Sequence, residues 1–485
     1  MSQNPRMKTT SDWTQPWLPG LERGLFVLLI GWLFAAAALV ELEYYDGYDS
    51  ILNADYFIGE TEGYQATRGP LMGLLLVPAQ AYKRSAHLHP LDVRPHHFTL
   101  AILHSLYLLA VYLVIVRVCG RSLASLMAFL FAVPVFLFFT YAPFISHDIL
   151  PGIFLLGMVV LADRFMDRPG KGAWMGLVLL GGGAALIKHT YALFWVFVVL
   201  GPVAVAVLEG VRDSKGRKIF RATLMLLGAA VASGVLCVVV LGFALKGAMP
   251  DLGFFERVGE QIEYLSGEAH DKSQISPLWV YLRNLPAFGI AAMVLILPGL
   301  VMSWRENRTL RACVIVWVLG VIAMHVISIR QVRYLAFLLP ITALLIATPI
   351  RVLLKQPFAL PGLLALWATN LFTAWSPVGE AGHAFSDFYR HSPARAFLEP
   401  VDTDGLLRTP IILNWGLLSF MHERDAPLVA DIYHDTFHLG THHLFNLYDC
   451  EKGDLIQLSN DEIPHLENWP DGAVMMGTSA GPLLN

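Results

Sequence analysis

Apolar runs of about 18 to 25 residues recur along this chain, each long enough to cross the hydrocarbon core of a bilayer. Such runs cannot be solvated as a soluble domain, so they dictate a polytopic membrane protein. Composition agrees: of 485 residues, 55% are hydrophobic and only 15% charged, against roughly a quarter charged in soluble domains. The mean hydropathy is +0.55. Net charge is -4 and no basic stripe is present, which leaves no footprint for nucleic acid. Cys119, Cys237 and Cys313 lie within or at the ends of apolar runs and Cys450 lies in the polar tail, so no disulfide framework is implied.

Eleven spans are expected, at about 24–40, 97–118, 122–141, 150–163, 173–187, 191–208, 222–245, 285–303, 312–327, 335–349 and 357–374. The first is longer than the core of a signal peptide and is followed by Glu41 instead of small residues, so it reads as a membrane helix. Basic clusters at 117–121, 164–171, 212–221, 305–311 and 351–355 fall on one side by alternation, together with residues 1–22. The positive-inside rule makes that side cytoplasmic. The expected fold class is therefore an all-α polytopic membrane protein with a small C-terminal soluble α/β cap. Residues 23–375 form its membrane domain, with outer loops 41–95, 142–150 and 246–284; residues 376–485 form its outer C-terminal domain, in which PIILN (410–414) reads as a strand. Residues 70–82 contain Pro78 and are too short to span; they read as an interfacial helix.

The groups able to do chemistry gather on the outer side. The stretch 41–70 holds seven acids, among them Asp46 and Asp49, five tyrosines including Tyr64, and a single arginine, Arg68. His147 and Asp148 occupy a short loop. Asp148 reads either as an N-terminal helix cap or as a second functional carboxylate, and His147 beside it as a candidate ligand for a divalent metal ion. Lys188 is either a snorkelling lysine or a functional cation. Arg330, Arg333 and Tyr334 run against the positive-inside trend, and arginine pairs suit phosphate. Carboxylates opposite phosphate-suited cations fit transfer from a lipid phosphate to a hydroxyl, with one carboxylate as general base and cations stabilising the leaving group. No glycine-rich phosphate loop suggests a nucleotide donor. The rival readings are a glycolipid or polysaccharide-precursor transporter or flippase, and a non-catalytic scaffold. Against the transporter stand the placement of the charges at helix ends and the absence of an internal repeat.

Four places in the chain resemble the GT-C glycosyltransferases, in the group of protein O-mannosyltransferases and bacterial aminoarabinose transferases. DGYDSILNA (46–54) resembles the acidic first-loop motif, and YQATRGPLMGLLL (64–76) its basic residue before proline and an interfacial helix. SHDIL (146–150) resembles the second acidic loop. GGGAALIKHTYAL (181–193) and RQVRYLAFLLP (330–340) are similar to the family's lysine-bearing hairpin and its Arg-Tyr-Leu segment. The resemblance implies a polyprenyl-phosphate sugar donor, an inverting transfer to a lipid, glycan or protein acceptor, and an active site on the periplasmic or luminal face, here that of a bacterial inner membrane. It implies Asp46 as base and Asp148 assisting, through a metal or by orienting the acceptor. It also implies Lys188, Arg330 and Arg333 on the lipid phosphate, with Tyr64, Arg68 and Tyr334 beside the substrate. Gly47 stands where the family usually has a second acid, so Asp49 remains a second candidate for the base. In the tail lie His434, His438, His442 and His443, whose spacing by four could place several on one helical face as a candidate metal site, interrupted by Gly440.

Overall fold

The computed structural model describes residues 16–39, 47–60, 64, 69–88, 93–210, 216–268, 288–326 and 332–375, and five strands in the tail. Every expected span carries helix. They are α1 (Leu18–Leu39), α4 (Arg94–Cys119), α5 (Leu123–Ala132) with α6 (Phe136–Tyr141), α7 (Pro151–Asp167), α8 (Lys171–Ile187), α9 (Phe194–Gly210), α10 (Gly216–Ala244), α12 (Ile290–Glu306), α13 (Arg308–Val326), α14 (Leu339–Leu353) and α15 (Ala359–Trp375). Between them lie α2 (Gly47–Phe57), α3 (Pro70–Ser85) and α11 (Phe254–Glu268). Five segments of the described residues are by themselves long and apolar enough to cross a membrane: 18–38, 94–119, 189–209, 216–244 and 333–353.

Local sequence explains the breaks. Pro70, Pro95, Pro151 and Pro340 sit in the first turns of α3, α4, α7 and α14, where a missing N–H costs nothing. Ser122 caps α5 by accepting from the Ser125 amide at 3.2 Å, and Gly120 before it takes φ +84°. The span expected at 122–141 is two helices because Pro134 interrupts it. Two expected loops also contain helix. The acidic stretch 41–70 forms α2 over its middle, and the loop 246–284 forms α11. In both cases a short amphipathic segment, too polar to span, becomes helical by packing on its neighbours.

The core is organised around α14, whose residues Leu339 to Ile350 are all buried. α10 lies at the other extreme: Val231, Val235, Val239 and Phe243, spaced by four, are exposed in one stripe, the face such a helix turns to lipid. Small residues bring α8 and α10 together. Ser233 donates to the Val178 carbonyl at 2.9 Å, and a β-carbon at Gly182 would meet Leu236 at 2.9 Å. Close approach through small residues is how membrane helices associate without a hydrophobic driving force.

Ion pairs collect at the end of the bundle where α1 begins. Glu22 pairs with Arg121, Arg308 with Asp163 and Asp167, Arg311 with Glu209 and Arg351 with Glu306. Residues 307–309 are part of this ring: Asn307 caps the first turn of α13 through the Leu310 amide at 2.9 Å, and Thr309 donates to Asp163 at 2.6 Å. Asp148, Lys188 and Arg333 lie at the opposite end of α7, α8 and α13.

In the tail, β1 (Thr409–Pro410), β2 (Val429–His434), β3 (His443–Asp449), β4 (Asp454–Ser459) and β5 (Val474–Gly477) form one mixed sheet in the order β1-β5-β2-β3-β4. The strand expected at 410–414 begins there. The histidine stretch is not one helix: His434 ends β2 and His443 opens β3, directly opposite each other. His438 and His442 lie outside the described residues.

Candidate active site

Asp148 is the centre of the site. It lies in the turn between α6 and α7 and is 2% exposed. Lys188 Nζ reaches its Oδ1 at 3.1 Å, and the Tyr191 hydroxyl donates to the same oxygen at 2.7 Å. Arg333 Nε approaches Oδ2 at 3.5 Å. The Lys188 ammonium also lies 4.2 Å from the centre of the Tyr334 ring, and the Arg333 guanidinium 5.6 Å from it, so one aromatic face serves both cations. These three partners of Asp148, and Tyr334 beside them, thus come from two separate breaks in helix. Lys188 is extended (φ -151°, ψ 123°) where α8 ends, and Tyr191 follows on the one-turn 3₁₀ segment His189–Leu193. Arg333 and Tyr334 sit on a second 3₁₀ segment, Val332–Leu338, that leads into α14.

Burial alone drives a carboxyl toward its neutral form. Here Lys188, then Arg333, the Tyr191 hydrogen bond and His147 outweigh it and hold Asp148 below the ordinary carboxylate range. Asp148 is not a helix cap: Leu150 occupies the capping position of α7, with no side-chain hydrogen bond. Nor is Lys188 a snorkelling lysine, since its side chain is 12% exposed and points at a carboxylate.

The second wall is α2, with Tyr64 and Gly69 after it in the chain. Asp49, in the first turn of α2, is 8% exposed. Ser50 and His147 meet at 2.8 Å between Oγ and Nε2. Tyr64 is buried against Tyr56, Phe57, Ala244 and Leu245; burial, then Tyr56, raise its phenol above the ordinary value. Gly69, just before α3, lies against the corner that bears Lys188. A β-carbon at Gly69 would lie 2.8 Å from the Ile187 carbonyl oxygen and closer still to that of Leu186, so only glycine passes there. Asp46, Arg68 and Arg330 lie outside the described residues. Gly47 and Gly69, next to Asp46 and Arg68, and Val332, two residues after Arg330, open the described segments.

An apolar cavity of about 370 Å³ opens beside this corner, lined by Gly69, Pro70, Leu186, His189, Trp195, Cys237, Leu241 and Val258 among others. Gly181, Ala185, Ala192, Ala230 and Gly234 keep its walls short.

A divalent metal fits this arrangement poorly. Among the described residues no cluster of three or more histidine, cysteine or acidic side chains is present. Asp148 already faces two cations that would repel a third, and His147 Nε2 is engaged by Ser50.

The structure places Asp148, Lys188, Arg333 and Tyr334 side by side; sequence reasoning singled out each of them separately. It missed Tyr191, whose only signal is its position one tight turn after Lys188, and Ser50, which carries no signal in its own segment.

The fold of the helical bundle is shared with solved structures. In particular, the chain is similar to ArnT from Cupriavidus metallidurans. The apo structure aligns with a TM-score of 0.54 at 14% identity, over 78% of this chain and 70% of that one. ArnT bound to undecaprenyl phosphate aligns with a TM-score of 0.53 over the same shares and at the same identity. An oligosaccharyltransferase from Archaeoglobus fulgidus aligns less well, at 0.49 and 16% identity, over 78% of this chain and 57% of that one. No protein-family model matches the sequence, and no curated protein matches it.

Proposed function

We propose that the protein is an integral membrane glycosyltransferase. It moves a sugar from a polyprenyl-phosphate donor to a hydroxyl of a lipid, glycan or protein acceptor, on the non-cytoplasmic face of a bacterial inner membrane. One observation carries this reading: Lys188 and Arg333 converge at a helix end around a buried carboxylate, beside an apolar cavity. Paired cations suit the phosphate and the cavity suits the start of a prenyl chain. The likeness in fold to an ArnT structure that holds undecaprenyl phosphate supports the same donor class.

In this mechanism Asp46 is the general base. It takes the proton of the acceptor hydroxyl as that oxygen attacks the anomeric carbon from the face opposite the phosphate. The carbon–oxygen bond to phosphate breaks, and the polyprenyl phosphate leaves with its negative charge on Lys188, Arg330 and Arg333. A single displacement inverts the anomeric centre. Asp148 acts through the cations. Its low pKa suits a fixed counter-ion and is the wrong direction for a base that must hold a proton near neutral pH. Asp49, the other candidate base, follows Asp46 by three residues in the chain; Arg68, Tyr64 and Tyr334 flank the donor.

The test is purified protein in liposomes with radiolabelled polyprenyl-phosphate sugars and a mixture of envelope lipids and glycans. Label appearing on an acceptor supports transfer. Movement of the labelled lipid between leaflets with no transfer supports the flippase instead.

A further inference from the structure

A hydrogen bond joins the two acidic segments. Ser50 follows Asp49 on α2, His147 precedes Asp148 in the turn, and Ser50 Oγ and His147 Nε2 form a 2.8 Å hydrogen bond between them. Both side chains are buried, Ser50 at 0% and His147 at 3% exposure, so no water competes for the bond. The rest of α2 is braced elsewhere. Gln80 on α3 donates to Asp55 and hydrogen-bonds His96 on α4 at 2.9 Å, and Asn53 packs where a β-carbon on Gly73 would collide at 2.7 Å. These contacts fix the C-terminal half of α2. The first turn, from which the chain runs back to Asp46, meets the Asp148 turn through Ser50.

We propose that His147 is a positioning residue: through Ser50 it sets the first turn of α2, and hence Asp46, relative to the cation cluster on Asp148. This rests on the glycosyl-transfer reading above. It replaces the metal-ligand role suggested for His147 with a strut between the base and the leaving-group site. Misplacing a reacting group by about 1 Å costs on the order of 10²-fold in rate, so a strut of this kind acts on turnover more than on donor binding.

The experiment compares S50A, H147F, H147Q and the S50A/H147F double variant in full-length protein. Sugar transfer is measured from labelled polyprenyl-phosphate sugar, and amide hydrogen exchange at residues 47–57 and 339–353. The expected result is a loss of about 10- to 100-fold in kcat for S50A and H147F, with donor KM little changed. The double variant is no worse than the poorer single one, and H147Q, whose amide can still reach Ser50, recovers most of the loss. Exchange rises at 47–57 in both single variants and stays at the wild-type rate at 339–353. Losses that multiply in the double variant, a change confined to KM, or wild-type exchange at 47–57 would overturn the proposal. Faster exchange at 339–353 in H147F marks general loosening, and S50A then decides. The exchange arm is independent of activity: wild type that transfers no sugar removes the glycosyl-transfer reading, while the exchange pattern still supports or overturns the strut.

Discussion

Replacing Asp148 with asparagine removes one charge and leaves two. Lys188 and Arg333 are only 12% and 10% exposed, so neither can recover full hydration by a small movement. Breaking a buried ion pair from one side costs about 3–5 kcal/mol, because the remaining charge is uncompensated. The residual exposure of both cations places D148N near 3 kcal/mol. At about 2 °C per kcal/mol for large domains, its Tm falls by roughly 6 °C. Removing a cation as well relieves the imbalance, so D148N/K188M is expected to be more stable than D148N. A lipid phosphate supplies the missing charge. In wild type it must displace Asp148 from the cations, whereas in D148N it meets them unopposed. Undecaprenyl phosphate should therefore bind D148N about tenfold more tightly, equivalent to about 1.4 kcal/mol, and raise its Tm by about 3 °C more than it raises that of wild type. Thermal unfolding in detergent, with and without the lipid, measures all three quantities. A D148N protein as stable as wild type, or equal stabilisation of both by the lipid, would refute the reasoning.

Three further outcomes are expected. The Asp148 carboxyl is held below its ordinary value, so its stabilisation is complete above the unfolded value of about 3.9 and is lost as pH falls through the lower folded one. The Tm difference between wild type and D148N should thus be flat from about pH 8 to about pH 5 and shrink only below about pH 4. Gly69→Ala forces a β-carbon against backbone carbonyls that cannot yield cheaply; unfolding should show a loss of about 1–3 kcal/mol, and kinetics a raised donor KM as the start of α3 shifts from the Lys188 corner. Chelation by EDTA should leave transfer at the untreated rate, since the cations around Asp148 occupy the place a divalent ion would take; a loss restored by added Mg²⁺ or Mn²⁺ contradicts this.

The helices were legible in the sequence because their length and apolarity are properties of single segments. So were the candidate cations: charged residues at the ends of apolar runs stand out whatever their partners. Lys188 and Arg333 were found in this way. Their convergence on Asp148 was not, because it depends on α7, α8 and α13 ending at one place in the bundle, which no local pattern records. Ser50 is harder still. A serine one residue after an aspartate is ordinary, and its meaning comes from a histidine 97 positions away. The acidic stretch differs in another way. Its mixture of acids and tyrosines reads as an outer loop that carries chemistry, yet Asp49 and Asp55 are buried and its middle is helical, with Gln80 of α3 donating to Asp55 and in turn bonded to His96 of α4. The histidine stretch of the tail has the spacing of a helix and the geometry of a hairpin, because sheet pairing overrides an i, i+4 repeat broken by Gly440.

The central claim is that Asp46 takes the proton of an acceptor hydroxyl while a lipid phosphate departs. Transfer of label from polyprenyl-phosphate sugars in membranes, with wild type, D46N and D49N at matched expression, tests it most directly. The expected result is transfer by wild type, a loss of at least about 10²-fold in D46N, and a smaller loss in D49N. Equal transfer by D46N and wild type would contradict it.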